Sequence, residues 1–139
     1  MGGSDIVAPR GIRNNNPGNL EANGVPWDGV NGDDGRFYTF ESSFYGLRAM
    51  AKLLSNYGRL YGVNTVRGIV SRYAPTHENN SVAYMQHVAK VLQVELDQPI
   101  KLDDANRLAA LVKVMIRHEN GQQPYSENEI SKAVKAALV

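Results

Sequence analysis

The sequence predicts a mostly helical α+β fold, a single domain with a small antiparallel sheet near its N-terminus. Three observations carry this. The first third is dense in turn-forming dipeptides that flank short alternating segments, the remainder shows apolar residues at helical spacing, and 139 residues suffice for one core and not two. An apolar fraction of 42% supports a packed globule over a disordered chain.

Residues 1–9 read as a flexible lead-in and 10–139 as the domain. Asn14-Asn15-Asn16-Pro17-Gly18-Asn19 opens the turn-rich block, followed by Asn23-Gly24, Asp28-Gly29, Asn31-Gly32 and Asp34-Gly35. Between them, Gly18 to Glu21 and Arg36 to Phe40 are the strand candidates. The second puts Phe37 and Thr39 on one face and Tyr38 and Phe40 on the other. Ser42 then caps a helix reaching about Tyr57, with Phe44, Leu47, Ala51 and Leu54 on one face and Gly58 and Gly62 marking its end. Asn64 or Thr65 starts a short helix to about Tyr73, closed by Pro75. Ser81 caps a third, with Tyr84, Val88, Val91 and Leu92 inward. Asp103 caps a fourth, reaching about His118 and stopped by Gly121. Ser126 and Glu129, at capping-box spacing, open the last.

Composition excludes several function classes. The formal net charge of +1 gives no reason to expect nucleic acid as a partner. With no cysteine there is neither disulfide nor thiolate metal site. His77, His87 and His118 lack ligand spacing, so no metal is expected, and neither a phosphate-binding glycine loop nor a nucleophile elbow occurs, so no cofactor is expected. No segment is long and apolar enough to insert in a membrane. Met1 to Pro9 does not read as a signal peptide, which predicts delivery by another factor.

The fourth helix carries the chemical signal. Leu108, Leu111, Val112, Met115 and Ile116 form an apolar stripe. Eleven residues at roughly 100° each bring Glu119 back to within about 20° of Leu108. A carboxylic acid on the core-facing stripe, at the negative end of a helix, is expected to hold its proton, as a glycosidase's general acid does. The alternative is that the helix ends before Glu119 and its side chain meets solvent, or pairs with Arg117 or His118.

Other residues carry two readings each. Glu78 is either a second candidate acid or a brace at a helix junction. Glu41 is a partner across a cleft or a first-turn residue favouring its helix. Glu21, Asp28, Asp33 and Asp34 are second carboxylates or solvated turn residues. Trp27 and Tyr38 stack on sugar rings or join the core. Asn14, Asn15, Asn16 and Asn19 bind acetamido groups or build the turn, and Tyr125 aims a hydroxyl into the cleft or follows a plain turn at Pro124.

Three segments, together spanning most of residues 10 to 125, carry a family resemblance. Arg117-His118-Glu119-Asn120-Gly121 resembles the Glu-Ser-Gly signature that ends the catalytic helix of lytic transglycosylases and goose-type lysozymes, with Asn120 in place of Ser. Ala74 to Val88 is similar to their Pro-x-Glu-Thr…Tyr-Val segment near the sugar groove, with Asn79 in place of Thr. Asn14 to Gly46 resembles the floor of wall glucosaminidases, and Arg10-Gly11-Ile12-Arg13-Asn14-Asn15-Asn16-Pro17-Gly18-Asn19 resembles a segment of phage lytic or virion-associated proteins. The resemblance implies a lysozyme-like fold, circularly permuted because the sheet precedes the Glu helix here. It also implies cleavage of the β-1,4 bond between N-acetylmuramic acid and N-acetylglucosamine, by a transglycosylase or muramidase. Glu119 is then the catalytic acid with Glu78 as second choice, and Asn15, Asn19, Trp27, Tyr38, Tyr84 and Tyr125 bind substrate. The partners implied are bacterial peptidoglycan and other phage virion proteins, with the protein in a phage particle or the host cytoplasm. The rival class is a virion structural or peptidoglycan-binding domain that keeps the shape without the chemistry.

Overall fold

The structure is a computed structural model and describes residues 7–74 and 81–139. The elements run α1 (Arg10–Arg13), β1 (Val30–Asp33), β2 (Tyr38–Phe40), α2 (Ser43–Tyr61), α3 (Val66–Tyr73), α4 (Ser81–Leu92), α5 (Ala105–Asn120) and α6 (Glu127–Ala137). The fold is therefore α+β and mostly helical, with a two-stranded antiparallel sheet.

The α5 helix is the axis of the molecule and packs against α1, α2, α4 and α6. Its stripe of Leu108, Leu111, Val112, Met115 and Ile116 is fully buried. Leu47, Met50, Leu54, Ile69, Val88 and Ile130 from the surrounding helices close the same core. The second long helix, α2, packs extensively on α6. A smaller cluster of Leu20, Tyr38, Phe40 and Ala49 sits under the hairpin, with Trp27, Val30 and Tyr45 at its edge.

Helix ends follow local chemistry. The Asp104 side chain accepts from the Asn106 and Arg107 N–H groups, so the α5 cap is one residue later than the Asp103 expected. Gly121 ends α5 in the left-handed region at φ 74°, and the helix runs to Asn120, past the expected His118. The expected capping box of Ser126 and Glu129 is present, and Thr65 caps α3. Gly58 does not interrupt α2: it lies inside the helix, which ends at Gly62, φ 67°. Val91 was expected inward but is 50% exposed, because α4 turns Tyr84, Val88 and Leu92 to the core and leaves that face to solvent.

The sheet is where expectation and structure part. Tyr38 and Phe40 do point inward, but their partner is Val30–Asp33, with a register irregularity between Val30 and Gly32. The expected strand from Gly18 to Glu21 is reduced to a single bridge, Glu21 to Phe37. The cause is Asn16. Its side-chain oxygen accepts from Leu20 N–H at 2.9 Å, and its amide donates to the carbonyls of Leu20 at 3.0 Å and Tyr38 at 2.9 Å. One fully buried amide thus takes the Leu20 N–H and the Tyr38 carbonyl that a neighbouring strand would have paired, while the Tyr38 N–H still donates to the Leu20 carbonyl at 3.0 Å.

The turn itself is pressed onto α2. A Cβ on Gly46 would lie 1.8 Å from the Asn15 carbonyl oxygen, so only glycine permits this approach. Asn15 and Asn19 occupy the left-handed region, at φ 53° and 52°, where asparagine is the most tolerant residue after glycine.

Candidate active site

The C-terminal end of α5 and the Asn-rich turn meet at a cleft of about 650 Å³. Its wall comes from four places: Gly18 to Glu21 and Asn23 in the turn block, Arg36 and Phe37 entering β2, Leu53 and Tyr57 of α2 with Arg72 to Ala74 at the end of α3, and His118 and Glu119 of α5.

Glu119 is half-buried on the last turn of α5, so the stripe's continuation does bring a carboxylate to the edge of the core, where it opens into the cleft. Two neutral donors reach it from opposite parts of the chain. Asn19 Nδ2 donates to Glu119 Oε1 at 3.2 Å, and to its backbone carbonyl at 3.3 Å. The Tyr84 hydroxyl donates to Oε2 at 3.2 Å. Burial first, and then the Glu119 charge, push the Tyr84 phenol well above its ordinary range, so it serves as a donor at any physiological pH. Tyr73, half-buried beside them, is pushed up for the same two reasons and donates to the Gly18 carbonyl at 2.6 Å.

Asn120 joins the two halves. Its amide donates to the Pro17 carbonyl at 2.8 Å and to the Ile116 carbonyl at 3.1 Å. The side-chain oxygens of Asn120 and Asn19 are buried without a hydrogen-bond partner and crowd Gly11, where a Cβ would lie 2.6 and 2.7 Å from them. Only a glycine in α1 lets the end of α5 and the turn close on each other. The residue that departs from the Glu-Ser-Gly pattern thus ties the candidate acid to the cleft floor.

Behind Glu119, the His118 ring stacks on Tyr84, centroids 4.3 Å apart and planes within 7°. His118 Nε2 lies 2.5 Å from His87 Nδ1, so one ring donates and the other accepts. Desolvation, and then His87, hold the His118 pKa below its ordinary 6.5. Neither role was legible in sequence spacing, because the two histidines are on different helices.

The other candidates fall in several places. Asn19 lines the cleft and Tyr84 backs it through Glu119. Tyr38 is buried and donates to the Val25 carbonyl at 2.7 Å, Trp27 packs at the edge of the small core, and Asn15 donates to the Phe40 carbonyl at 3.1 Å; none of the three lines the cleft. Tyr125 packs against the main core, its hydroxyl buried without a partner. Glu21 lines the wall in an ion pair with Arg36 at 3.4 Å. Asp34 is held by Arg10 at 2.6 Å and Asn14 at 2.9 Å and organises its own loop, while Asp28 pairs with Arg48 at 3.1 Å. Asp33 accepts from Gly35 N–H as a turn residue, and Glu41 is exposed just before α2. Glu78 and His77 lie outside the described residues. Among the described residues no group of three potential metal ligands occurs, and no helix is long and apolar enough to cross a membrane. Sequence reasoning missed Arg72, Tyr57 and Tyr73 as wall residues. Their spacing on two helices reads as core and surface, and only the meeting of the Tyr57 ring with Tyr73 and Arg72 brings them to one edge.

The chain is 37% identical over 130 residues to Protein P5 of Pseudoalteromonas phage PM2, an alignment covering 90% of this chain and 79% of that protein. The chain belongs to the family of that phage protein. No family model matches it. A phage context is thereby supported.

Proposed function

We propose that this protein cleaves the glycan strands of bacterial peptidoglycan, at the β-1,4 bond between N-acetylmuramic acid and N-acetylglucosamine, with Glu119 as general acid on a permuted lysozyme-like scaffold. The observation that carries the reading is the Glu119 carboxyl at the end of a fully buried helical stripe, opening into a cleft and met by Asn19 and Tyr84.

The chemistry runs as follows. Protonated Glu119 gives its proton to the bridging oxygen as the bond to the muramyl C1 breaks, and the leaving sugar departs with a free 4-hydroxyl. The carboxylate left behind is stabilised by the Asn19 amide and Tyr84 hydroxyl, donors already aimed where negative charge develops. It then takes the proton of the muramyl 6-hydroxyl while that oxygen attacks C1, closing a 1,6-anhydro ring and restoring the acid. A single acid–base residue suffices for this route. The one other wall carboxylate among the described residues, Glu21, is engaged by Arg36, which favours the transglycosylase over a hydrolase needing a second base.

Glu119→Gln removes the transferable proton and preserves shape. Clearance of purified peptidoglycan should fall by about 10²–10⁴-fold, with thermal melting unchanged or slightly raised. Mass spectrometry of the wild-type products should show anhydromuropeptides, while reducing ends would mean hydrolysis. A folded Glu119→Gln protein that clears walls at the wild-type rate refutes the assignment. A wild type that binds wall glycan and releases nothing would instead mark a virion domain without the chemistry.

A further inference from the structure

The cleft wall contains a guanidinium that the proposed reaction does not use. Arg72, at the end of α3, is exposed to the cleft and lies over two tyrosine faces, 4.2 Å from the Tyr61 ring centroid and 5.3 Å from that of Tyr57. Both separations fall within the roughly 6 Å at which a cation is held by an aromatic face. No carboxylate pairs with Arg72 among the described residues. The contrast is with Arg36, the other guanidinium of the wall, which lies over Phe37 at 4.7 Å and is paired to Glu21. One cationic side chain of the cleft is thus paired, and the other lies over two aromatic rings with no carboxylate partner among the described residues.

We propose that Arg72, seated on Tyr57 and Tyr61, is a specificity-determining subsite for a carboxylate carried by the glycan. This rests on the reading of the cleft as a glycan site and narrows its substrate class. A guanidinium held over aromatic faces does not satisfy its N–H groups against the rings. They remain for an acceptor from outside, and a carboxylate matches the planar fork. Neutral N-acetylglucosamine polymers carry no such group. Muramyl strands carry one in either of two places, the acidic stem peptide or, when that peptide is removed, the lactyl ether. Stacking lowers the ordering cost of a flexible arginine, so a single contact discriminates more than an unrestrained surface side chain would. The cleft therefore favours acidic glycan strands over chitin-type chains of equal length.

The test uses the full-length protein and binding as well as turnover. Affinity is measured for Glu119→Gln, and for Glu119→Gln combined with Arg72→Ala, against three probes: peptide-bearing glycan strands, the same strands with the peptide removed, and chitooligosaccharide of matched length. Loss of a charge-assisted contact should weaken binding to an acidic probe by about tenfold or more, and leave chitooligosaccharide within about twofold. If only peptide-bearing strands are affected, the stem peptide supplies the carboxylate; if only the stripped strands are, the freed lactyl group does; if both are, the subsite accepts either carboxylate. Arg72→Lys keeps the charge without the planar fork and should recover only part of the loss. With Arg72→Ala in the otherwise wild-type chain, the same preference should disappear from kcat/KM. Equal loss on all three probes, or loss on none, overturns the subsite while cleavage by the wild type leaves the functional reading standing. Absence of both binding and cleavage for every glycan overturns the two together.

Discussion

The Asn-rich turn block and the helical body reach stability by different physics. The helices around α5 bury an uninterrupted set of aliphatic side chains, and α3, α5 and α6 begin at side-chain caps. The turn block has a small apolar cluster and depends instead on individually aimed amides: Asn16 to Leu20 and Tyr38, Asn15 to Phe40, Asn14 to Asp34, Asn19 to Glu119. Apolar packing is non-directional and accommodates substitutions of similar volume. A buried amide with three hydrogen bonds has no isostere. The candidate site lies where the two meet, with its acid on the packed helix and its positioning donor on the directional block.

The largest effect expected from this contrast is at their contact. Gly46→Ala places a methyl group 1.8 Å from the Asn15 carbonyl oxygen, and that atom belongs to backbone already fixed by Asn15 and Asn16. Relief requires the turn to lift from α2. Loss of at least about 3 kcal/mol of stability is expected, read as the shift of the denaturant midpoint. A variant within 1 kcal/mol (about the typical cost of a point substitution) would show that the turn is not rigidly seated.

A matched pair measures the contrast within each region. Asn16→Ala leaves the Leu20 N–H and the Tyr38 carbonyl buried with their side-chain partner gone, at about 1–3 kcal/mol for each group left unsatisfied. Met115→Leu, equally buried in α5, conserves volume and should cost less than about 1.5 kcal/mol. The comparison fails if the methionine substitution costs as much as the asparagine one in parallel unfolding experiments.

The same difference explains what could be read in advance. Apolar periodicity located five helices and placed Glu119 on the core stripe, because period and burial are linked by helix geometry alone. The caps at Gly62, Gly121 and Ser126 were legible for a similar local reason, and that at Thr65 as one of two candidates with Asn64. The turn block was recognisable as turns and no further. An asparagine announces a left-handed residue or a side-chain bond to backbone, but not which carbonyl its amide will meet. Asn16 erased an expected strand, and the Val30–Asp33 strand was hidden because Val-Asn-Gly-Asp has turn composition and a mostly exposed pattern. The short α1 helix was missed as well, being a single turn begun at Pro9. In the site, the sequence alone could mark Glu119 and the Asn run, whereas the links from Tyr84, Asn120 and His118 exist only once α4, α5 and the turn are docked.

The smallest and most discriminating effect is in acid, where the two regions should lose stability in separate pH windows. In the helical body, burial and His87 hold the His118 pKa below 6.5, so the folded state binds fewer protons than the unfolded chain in the interval beneath that value. Stability from His118 is therefore complete above about pH 6.5 and declines as pH falls toward the lower folded pKa. In the turn block, Arg10 first, then the Phe37 N–H and Asn14, hold the Asp34 carboxyl below its ordinary 3.8. Its contribution is complete above about pH 3.8 and is lost only as pH falls further. Asp34 is exposed, so screening by solvent and salt makes this second step the weaker. Melting temperature measured from pH 8 down to about pH 1 should fall in two steps, the lower one spread over the interval beneath about pH 3.8. His118→Phe keeps an aromatic ring against Tyr84 and should flatten the upper step alone, and Asp34→Asn should reduce only the lower step, to which Asp97, held down by Arg67, contributes the rest. If His118→Phe leaves the slope between pH 6.5 and 5 unchanged, the histidine pair does not titrate with folding, and the acid sensitivity of the helical body must come from another group.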